Sequence, residues 1–418
     1  MTVPIFRHRT ETKFFYGHVV IAAGFLTWLI GFGTNATFSV FLTPVTMEFG
    51  WTRAEISIGY SLALFVQACL GIIMGWLTDK IGPRLVISVF GSFLGLCYLL
   101  LSQINALWQF QLIFGLFAAT GISALVAPVM ATVARWFAKK RGLMIGIVQA
   151  GLSVGGFIFP PFIGWLILTQ GWRFAYVIMG IITVAGMILA GLLLKRDPNK
   201  QQQLPTAIRV ENHLKFKRQD EKLPSSGLSL RESIYTRQFW LIAALYCCFG
   251  FCRSSFLVHI VAYIQDLGYS LADGSKVLSV LFGSSLFGRI AIGRLGDKIG
   301  SRPSLVVGFL VTAITLIWGL INQDLWGLYI FGIFFGFGWG GQAVLRFSVT
   351  SESFGELSMG LIMAVLGLGD SAGAAFGSFF AGYIFDTYGN YQPVFWIGIA
   401  VSIAAVILSL LLKTIPKE

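Results

Sequence analysis

Leu281-Phe-Gly-Ser-Ser-Leu-Phe-Gly-Arg289-Ile-Ala-Ile-Gly293-Arg-Leu-Gly-Asp297-Lys-Ile-Gly300-Ser-Arg302 reads as a membrane helix that carries an arginine within it and ends in a basic turn. Arg294, Lys298 and Arg302 cluster where the segment leaves the apolar core, and long basic side chains there reach the headgroups. Arg289 lies eight residues before Asp297. At the helical rise that is roughly 12 Å inside the same end, within a hydrocarbon core about 30 Å thick. A cation at that depth costs about 2.5–3.5 kcal/mol on insertion scales, so its default reading is functional.

The rest of the chain has the composition of such a setting. Of 418 residues, 56% are hydrophobic and 11% charged, against about 25% charged in soluble domains. Apolar runs fall at 17–46, 55–78, 84–103, 107–135, 142–167 and 173–194, then at 238–265, 272–296, 303–322, 326–350, 357–384 and 391–412. The expected class is therefore an all-α polytopic membrane protein with twelve transmembrane helices in two six-helix bundles around a central cavity. The first run is too long for the 7–15-residue apolar region of a signal peptide, and is expected to be retained.

The net charge of +12 follows the loops in alternation and does not form a nucleic-acid patch. Outer loops hold only Arg53, Arg173 and Lys276, and Arg253, Arg289 and Arg346 fall inside spans. All other Lys and Arg lie on one side. By the positive-inside rule that side is the cytoplasm and holds both termini. A bacterial inner membrane is the expected location. The five cysteines all lie in apolar runs without metal-ligand spacing, and are read as packing residues.

Between the two sets of six lies a polar tract. The expected organisation is an N-terminal bundle over 1–194, a cytoplasmic linker over 195–237 with a short interfacial helix near 228–235, and a C-terminal bundle over 238–418. The halves repeat: Gly75, Asp79, Lys80, Ile81, Gly82 and Arg84 recur at one constant offset as Gly293, Asp297, Lys298, Ile299, Gly300 and Arg302. Such an internal repeat argues for duplication, with parallel halves meeting at a midplane cavity.

The repeated loop resembles the signature loop of the major facilitator superfamily, in which Gly75, Asp79, Arg84, Gly293, Asp297 and Arg302 would serve as gate and stability elements. Trp136-Phe-Ala-Lys-Lys-Arg-Gly-Leu-Met-Ile-Gly-Ile-Val-Gln-Ala-Gly151 resembles the second signature of the monocarboxylate porter family, with Met144 and Val148 in place of alanines. Tyr16-Gly-His-Val-Val20 is a remnant of the first signature, and Val258 to Gly268 is similar to the seventh-helix segment of bacterial members, a group that includes oxalate–formate antiporters. This resemblance implies that Arg289 docks the substrate carboxylate. It also marks two departures. Animal members have a lysine in helix 1 where this chain has Asn35-Ala-Thr-Phe38-Ser39, and an aspartate four residues before the arginine where this chain has Ser285.

The charges inside spans are Arg253, Arg289, Arg346 and Asp370, all in the second half. A guanidinium stays charged at physiological pH and can hold both oxygens of a carboxylate. Arg289, Arg253, His259, Asn35 and Ser285 are the candidate substrate contacts. Asp370 is either a proton site that responds to substrate or a permanent ion-pair partner of Arg253 or Arg346. Arg346, five residues before the end of its span, either snorkels or joins the site.

The expected activity is secondary transport of a small organic anion, a monocarboxylate or related acid, by alternating access, with protons as candidate coupling ions. Exchange of a dicarboxylate is the alternative, because three arginines face one aspartate. A non-transporting sensor and a drug-efflux porter are the more distant rivals. No catalytic residues, metal or cofactor are expected. The partners are the substrate anion and the lipid bilayer, with no nucleic acid, and the chain is expected to function as a monomer. There is no GxxxxGK[ST] phosphate loop to supply energy from a nucleotide.

Overall fold

Twelve helices long and apolar enough to cross a bilayer run through the computed structural model, which describes residues 16–137, 141–196, 227–355 and 357–412. They are α1 (Gly17–Phe49), α2 (Arg53–Ile81), α3 (Pro83–Leu101), α4 (Leu107–Trp136), α5 (Gly142–Gln170) and α6 (Trp172–Leu193), followed by α7 (Arg237–Asp266), α8 (Leu271–Ile299), α9 (Ser301–Ile321), α10 (Leu325–Phe354), α11 (Met359–Tyr388) and α12 (Gln392–Leu411). The fold is two six-helix bundles, with no sheet among the described residues.

Local sequence explains where these helices begin and end. Thr52 caps α2 by accepting from the Glu55 amide, while the Glu55 carboxylate accepts from the Thr52 amide, which satisfies two otherwise orphaned donors. Thr236, Ser270 and Asp324 cap α7, α8 and α10 more simply, each side chain accepting from the amide three residues on. Gly82 and Gly300, the paired glycines of the internal repeat, take φ of +88° and +92°. Only glycine adopts such a backbone cheaply, so each can join one membrane helix to the next in a single residue.

The first helix departs from a single continuous run. Its α-helical segments are Gly17–Asn35 and Phe38–Phe49, with a break at Ala36 and Thr37, and it extends past the expected limit of 46. Where a short helix is expected near 228–235, the structure has a five-residue helix, Leu230–Ile234, capped by Ser229. It is tied to the end of α10 by the bond from the Leu228 amide to the Phe354 carbonyl, 2.9 Å. Most of the 195–237 linker, from 197 to 226, lies outside the described residues, as do Ala138, Lys139 and Lys140 of the loop between α4 and α5.

Within a bundle the helices meet through glycine. A Cβ on Gly155 in α5 would run into the Leu29 carbonyl of α1, and one on Gly373 in α11 into the Cys247 carbonyl of α7. Without a hydrophobic drive between helices in lipid, association draws on the van der Waals packing that such close backbone approach permits, together with interhelical hydrogen bonds. The cysteines are free, and not all pack inside: Cys97 and Cys252 are buried, whereas Cys69 and Cys247 are exposed.

The bundles touch along α2 with α11 and α5 with α8. Among the described residues, the hydrogen bonds joining them run from mid-depth to the end of the molecule opposite the termini. They include Arg289 to Gln149, Ser153 to Ser285, Ser61 to Ser378, the Val261 amide to Ser39, and Arg53 to Asp266. Toward the end that carries the termini the interface parts. Added Cβ atoms at Gly142, Gly146 and Gly360 would meet nothing. Among the described residues, the protein is therefore closed at the far end and open at the terminal end.

Candidate functional site

A cavity of about 660 Å³ lies between the bundles, within the range of small-molecule sites. Its walls come from α1, α2, α4, α5, α7, α8, α10 and α11. The outer helices α3, α6, α9 and α12 contribute none of the lining. The break in α1 places Asn35 and Ala36 on the wall, beside Phe32 and Phe38.

All four charged side chains that the sequence places inside spans, Arg253, Arg289, Arg346 and Asp370, line this one cavity. They arrive from four helices, and close packing sets their positions. A Cβ on Gly250 would strike the Asp370 carbonyl, so α7 lies directly against α11 and brings Arg253, one turn further on, to Asp370. Arg346 Nη1 is 3.2 Å from Asp370 Oδ2, and Arg253 Nη2 is 3.6 Å from Oδ1. One carboxylate is thus shared by two guanidiniums, and the second contact is an ion pair too long to be a hydrogen bond.

Arg346 does not reach for the membrane surface. Its guanidinium lies 3.7 Å from the centroid of the Phe249 ring and 4.8 Å from that of Tyr246, and its side chain is only 14% exposed. The Tyr246 hydroxyl also donates to the Arg346 carbonyl at 3.1 Å. A cation over aromatic faces gains about 0.5–2 kcal/mol when partly desolvated. Asp370 and these rings together hold Arg346 in the cavity wall.

Arg289 is placed differently. Among the described residues it has no carboxylate partner; its one hydrogen bond is a long 3.4 Å contact from Nη1 to the Gln149 carbonyl. Its Nε is buried and unpartnered, as is the indole Nε1 of Trp339, another lining residue. Both groups are donors only, which suits an acceptor-only ligand such as a carboxylate.

Two of the sequence candidates are not brought to the cavity. Ser285 is fully buried between the bundles, where its hydroxyl lies 2.9 Å from that of Ser153 and donates to the Phe282 carbonyl. His259 is buried in the closed far end. Its Nε2 lies 2.9 Å from the Ser378 carbonyl, which can only accept, so that nitrogen carries the hydrogen. Its Nδ1 then accepts from the Tyr391 hydroxyl at 3.0 Å. Both ring nitrogens are thereby satisfied in the neutral form.

The gate-loop residues lie away from the cavity lining. Asp79 pairs with Arg135 of α4 at 2.8 Å. Arg302 donates to the Ser409 and Leu410 carbonyls near the end of α12, a placement that favours a cation at a helix C-terminus. Asp297 is exposed. At Gly75 and Gly293 an added Cβ would meet Ala127 and Val344 at 3.8 and 3.7 Å, ordinary van der Waals contact.

Sequence reasoning missed Trp339 and Arg53. Trp339 sits in an aromatic and glycine-rich run that reads as packing, and only the orphaned N–H in three dimensions separates it from its neighbours. Arg53, expected in an outer loop, is 9% exposed and bonded across the bundles. Its partner is distant in the chain, so no local pattern could reveal it.

A model described as Major Facilitator Superfamily matches residues 23–294 and 277–418. Monocarboxylate transporter 13 of Rattus norvegicus is 28% identical over 398 residues, covering 93% of this chain and 87% of the relative. Monocarboxylate transporter 2 of Homo sapiens is 21% identical over 408 residues, covering 93% and 84%. Among solved structures, a bacterial homolog to the human lysosomal transporter Spinster, in an inward-facing and occupied conformation, aligns with a TM-score of 0.74 over 95% of this chain and 96% of that one at 17% identity, a likeness of fold. With twelve apolar helices, a loop repeated at constant offset and a cavity between two bundles, the chain is an integral multi-pass membrane protein and belongs to the Major Facilitator Superfamily.

Proposed function

We propose that the protein is a secondary transporter that carries a small organic anion by alternating access, with Arg289 as the docking group. The observation that carries this reading is the electrostatic inequality inside the cavity. Arg253 and Arg346 share Asp370, whereas Arg289 has no anionic partner among the described residues. A cation so placed favours entry of an anion, and transport follows if the occupied protein closes its terminal end and opens its far end. Relatives named as monocarboxylate transporters support a carboxylate as the cargo. With the terminal end cytoplasmic, as the distribution of basic residues indicates, the state described is inward-open.

Asp370 is the candidate for coupling. While both arginines hold it, it is an anion with two partners. A substrate carboxylate that draws one arginine away would leave Asp370 with a single partner, and that change of partner would tie substrate binding to coupling. The surplus of arginine over aspartate favours a second reading, exchange of a dicarboxylate.

The test is reconstitution of the purified protein in liposomes with labelled mono- and dicarboxylates, with and without an imposed pH gradient. Charged hydrogen bonds contribute about 1.5–3 kcal/mol, so Arg289→Ala should lower affinity roughly 10- to 100-fold. Arg289→Lys, which keeps the charge without the planar donor array, should fall between. Undiminished uptake by well-folded Arg289→Ala would refute the docking role.

A further inference from the structure

We infer that the substrate anion is held by two donors on different helices, Arg289 and the indole N–H of Trp339, and that its class is the aryl monocarboxylates, an acid with a bulky aromatic body. This rests on the carboxylate reading proposed above and names the body that the acid carries.

The argument begins with helix packing. A Cβ on Gly288, next to Arg289, would run into the Phe337 carbonyl, and one on Gly340, next to Trp339, into the Ser285 carbonyl. The backbones of α8 and α10 are therefore in contact at these two levels, which brings Arg289 and Trp339 to neighbouring positions on one wall. Phe282, two turns from Arg289 along α8, packs edge-on against Trp339 with ring centroids 5.4 Å apart. Trp339 is 7% exposed, so its orientation is set by its surroundings.

The polar atoms on this wall are complementary to a carboxylate. Arg289 Nε and Trp339 Nε1 are both buried donors without a protein acceptor. Leaving such a buried donor unpaired is unfavourable, so an acceptor that reaches it is favoured. One carboxylate presents two oxygens, each able to accept, and can serve both donors at once.

The remaining lining then decides between a compact acid and a bulky one. Phe32, Phe38, Tyr60, Phe249, Phe282 and Trp339 all face the cavity. Acetate would engage the donors and leave the cavity-facing surface of Phe32 and Tyr60, the two of these rings that are partly exposed, in water. An aromatic body covers that surface and can pair with those two faces, while Phe38, Phe249, Phe282 and Trp339, only 2–7% exposed, form the packed wall behind it. A second carboxylate finds a less favourable place. Asp370 already sits on Arg253 and Arg346, and the Arg346 charge also lies against Phe249 and Tyr246. Arg346 Nε is unpartnered as well, but a second acid there would face the Asp370 carboxylate.

The experiment measures binding and uptake of labelled benzoate and labelled acetate by the full-length protein in proteoliposomes, with unlabelled benzoate, phenylacetate, acetate and succinate as competitors. Benzoate and phenylacetate should compete at concentrations at least tenfold lower than acetate or succinate. Trp339→Phe, which keeps a ring and removes the N–H, should weaken benzoate about tenfold, and Trp339→His, which restores a ring N–H, should recover part of that loss. The competition order in the unsubstituted protein needs no variant, so the idea stays testable if a substitution impairs folding. Acetate or succinate competing as well as benzoate would overturn the inference, as would an unchanged Trp339→Phe. If acetate binds through Arg289 and benzoate does not, the inference falls and the carboxylate reading stands. If neither acid binds, both fall.

Discussion

Arg53 at the start of α2 and Asp266 at the end of α7 form a two-pronged ion pair across the bundles, with Nη1 to Oδ2 at 2.6 Å and Nη2 to Oδ1 at 2.7 Å. Around it, the Arg53 guanidinium lies 3.6 Å from the Phe385 ring centroid and donates to the Tyr391 hydroxyl at 2.8 Å. The Asp386 carboxylate of α11 accepts from the first two amides of α2, at 3.1 and 2.8 Å. The second bundle thus caps and charges a helix of the first, and this holds the far end closed. Removing one member of a buried pair leaves the other uncompensated, at about 3–5 kcal/mol in full burial, and less here because the Asp266 side chain is 31% exposed. Arg53→Ala should therefore shift the protein toward states open at the far end. Ser57, fully buried beneath this lock, provides the readout: a Ser57→Cys thiol should react faster with an impermeant maleimide in the Arg53→Ala background. Equal rates in both backgrounds would show that the lock does not hold this end.

Asp370→Asn should separate coupling from binding. The amide keeps the shape and removes the carboxylate shared by Arg253 and Arg346. If Asp370 carries the proton, uptake driven by a pH gradient should drop to the level without one, while exchange of labelled for unlabelled substrate continues. Gradient-driven uptake that survives at full strength would assign the proton elsewhere.

Gly373→Ala should destabilise the second bundle by about 1–3 kcal/mol, the usual range for overpacking, because its Cβ would run into the Cys247 carbonyl and force α7 and α11 apart. Gly360→Ala, at a position with open space around it, should leave the melting temperature unchanged. Thermal unfolding of the two variants in one detergent makes the comparison.

The short helix after the linker should respond to acid. Its Glu232 carboxylate accepts from the Ser229 amide and hydroxyl at 2.7 and 2.8 Å, and these bonds hold its pKa below the usual carboxylate value. A depressed folded-state pKa means that the cap contributes fully above the unfolded value and is lost as pH falls through the folded one. Hydrogen exchange at the Ser229 amide, corrected for its intrinsic pH dependence, should lose protection across that acidic window. Ser229→Ala should weaken the helix at neutral pH by about 0.5–2 kcal/mol.

Much of the fold was legible because lipid imposes a one-dimensional rule. A span must be apolar over about 20 residues and must satisfy its own backbone, so hydropathy locates each helix without knowledge of its neighbours. The break at Ala36 and Thr37 escaped that rule, since both segments of α1 are apolar. The site was legible in its charges and not in their grouping. A charge in a span announces itself, but whether Asp370 meets Arg253, Arg346 or both depends on how α7, α10 and α11 pack. His259 and Ser285 show the reverse case, polar groups that look available in the sequence and are used up between helices.

By itself the sequence determined the class of the protein, its helices, its duplication and the presence of Arg289 at membrane depth, because each follows from local composition or from a repeat at constant offset. Only the tertiary structure decided which arginines are paired, that Arg289 and Trp339 line one cavity with unpartnered donors, and that Arg53 bonds across the bundles at the far end. Those properties belong to contacts between residues far apart in the chain. Such contacts are set by glycine-mediated backbone approach and burial, and a linear pattern holds no record of them.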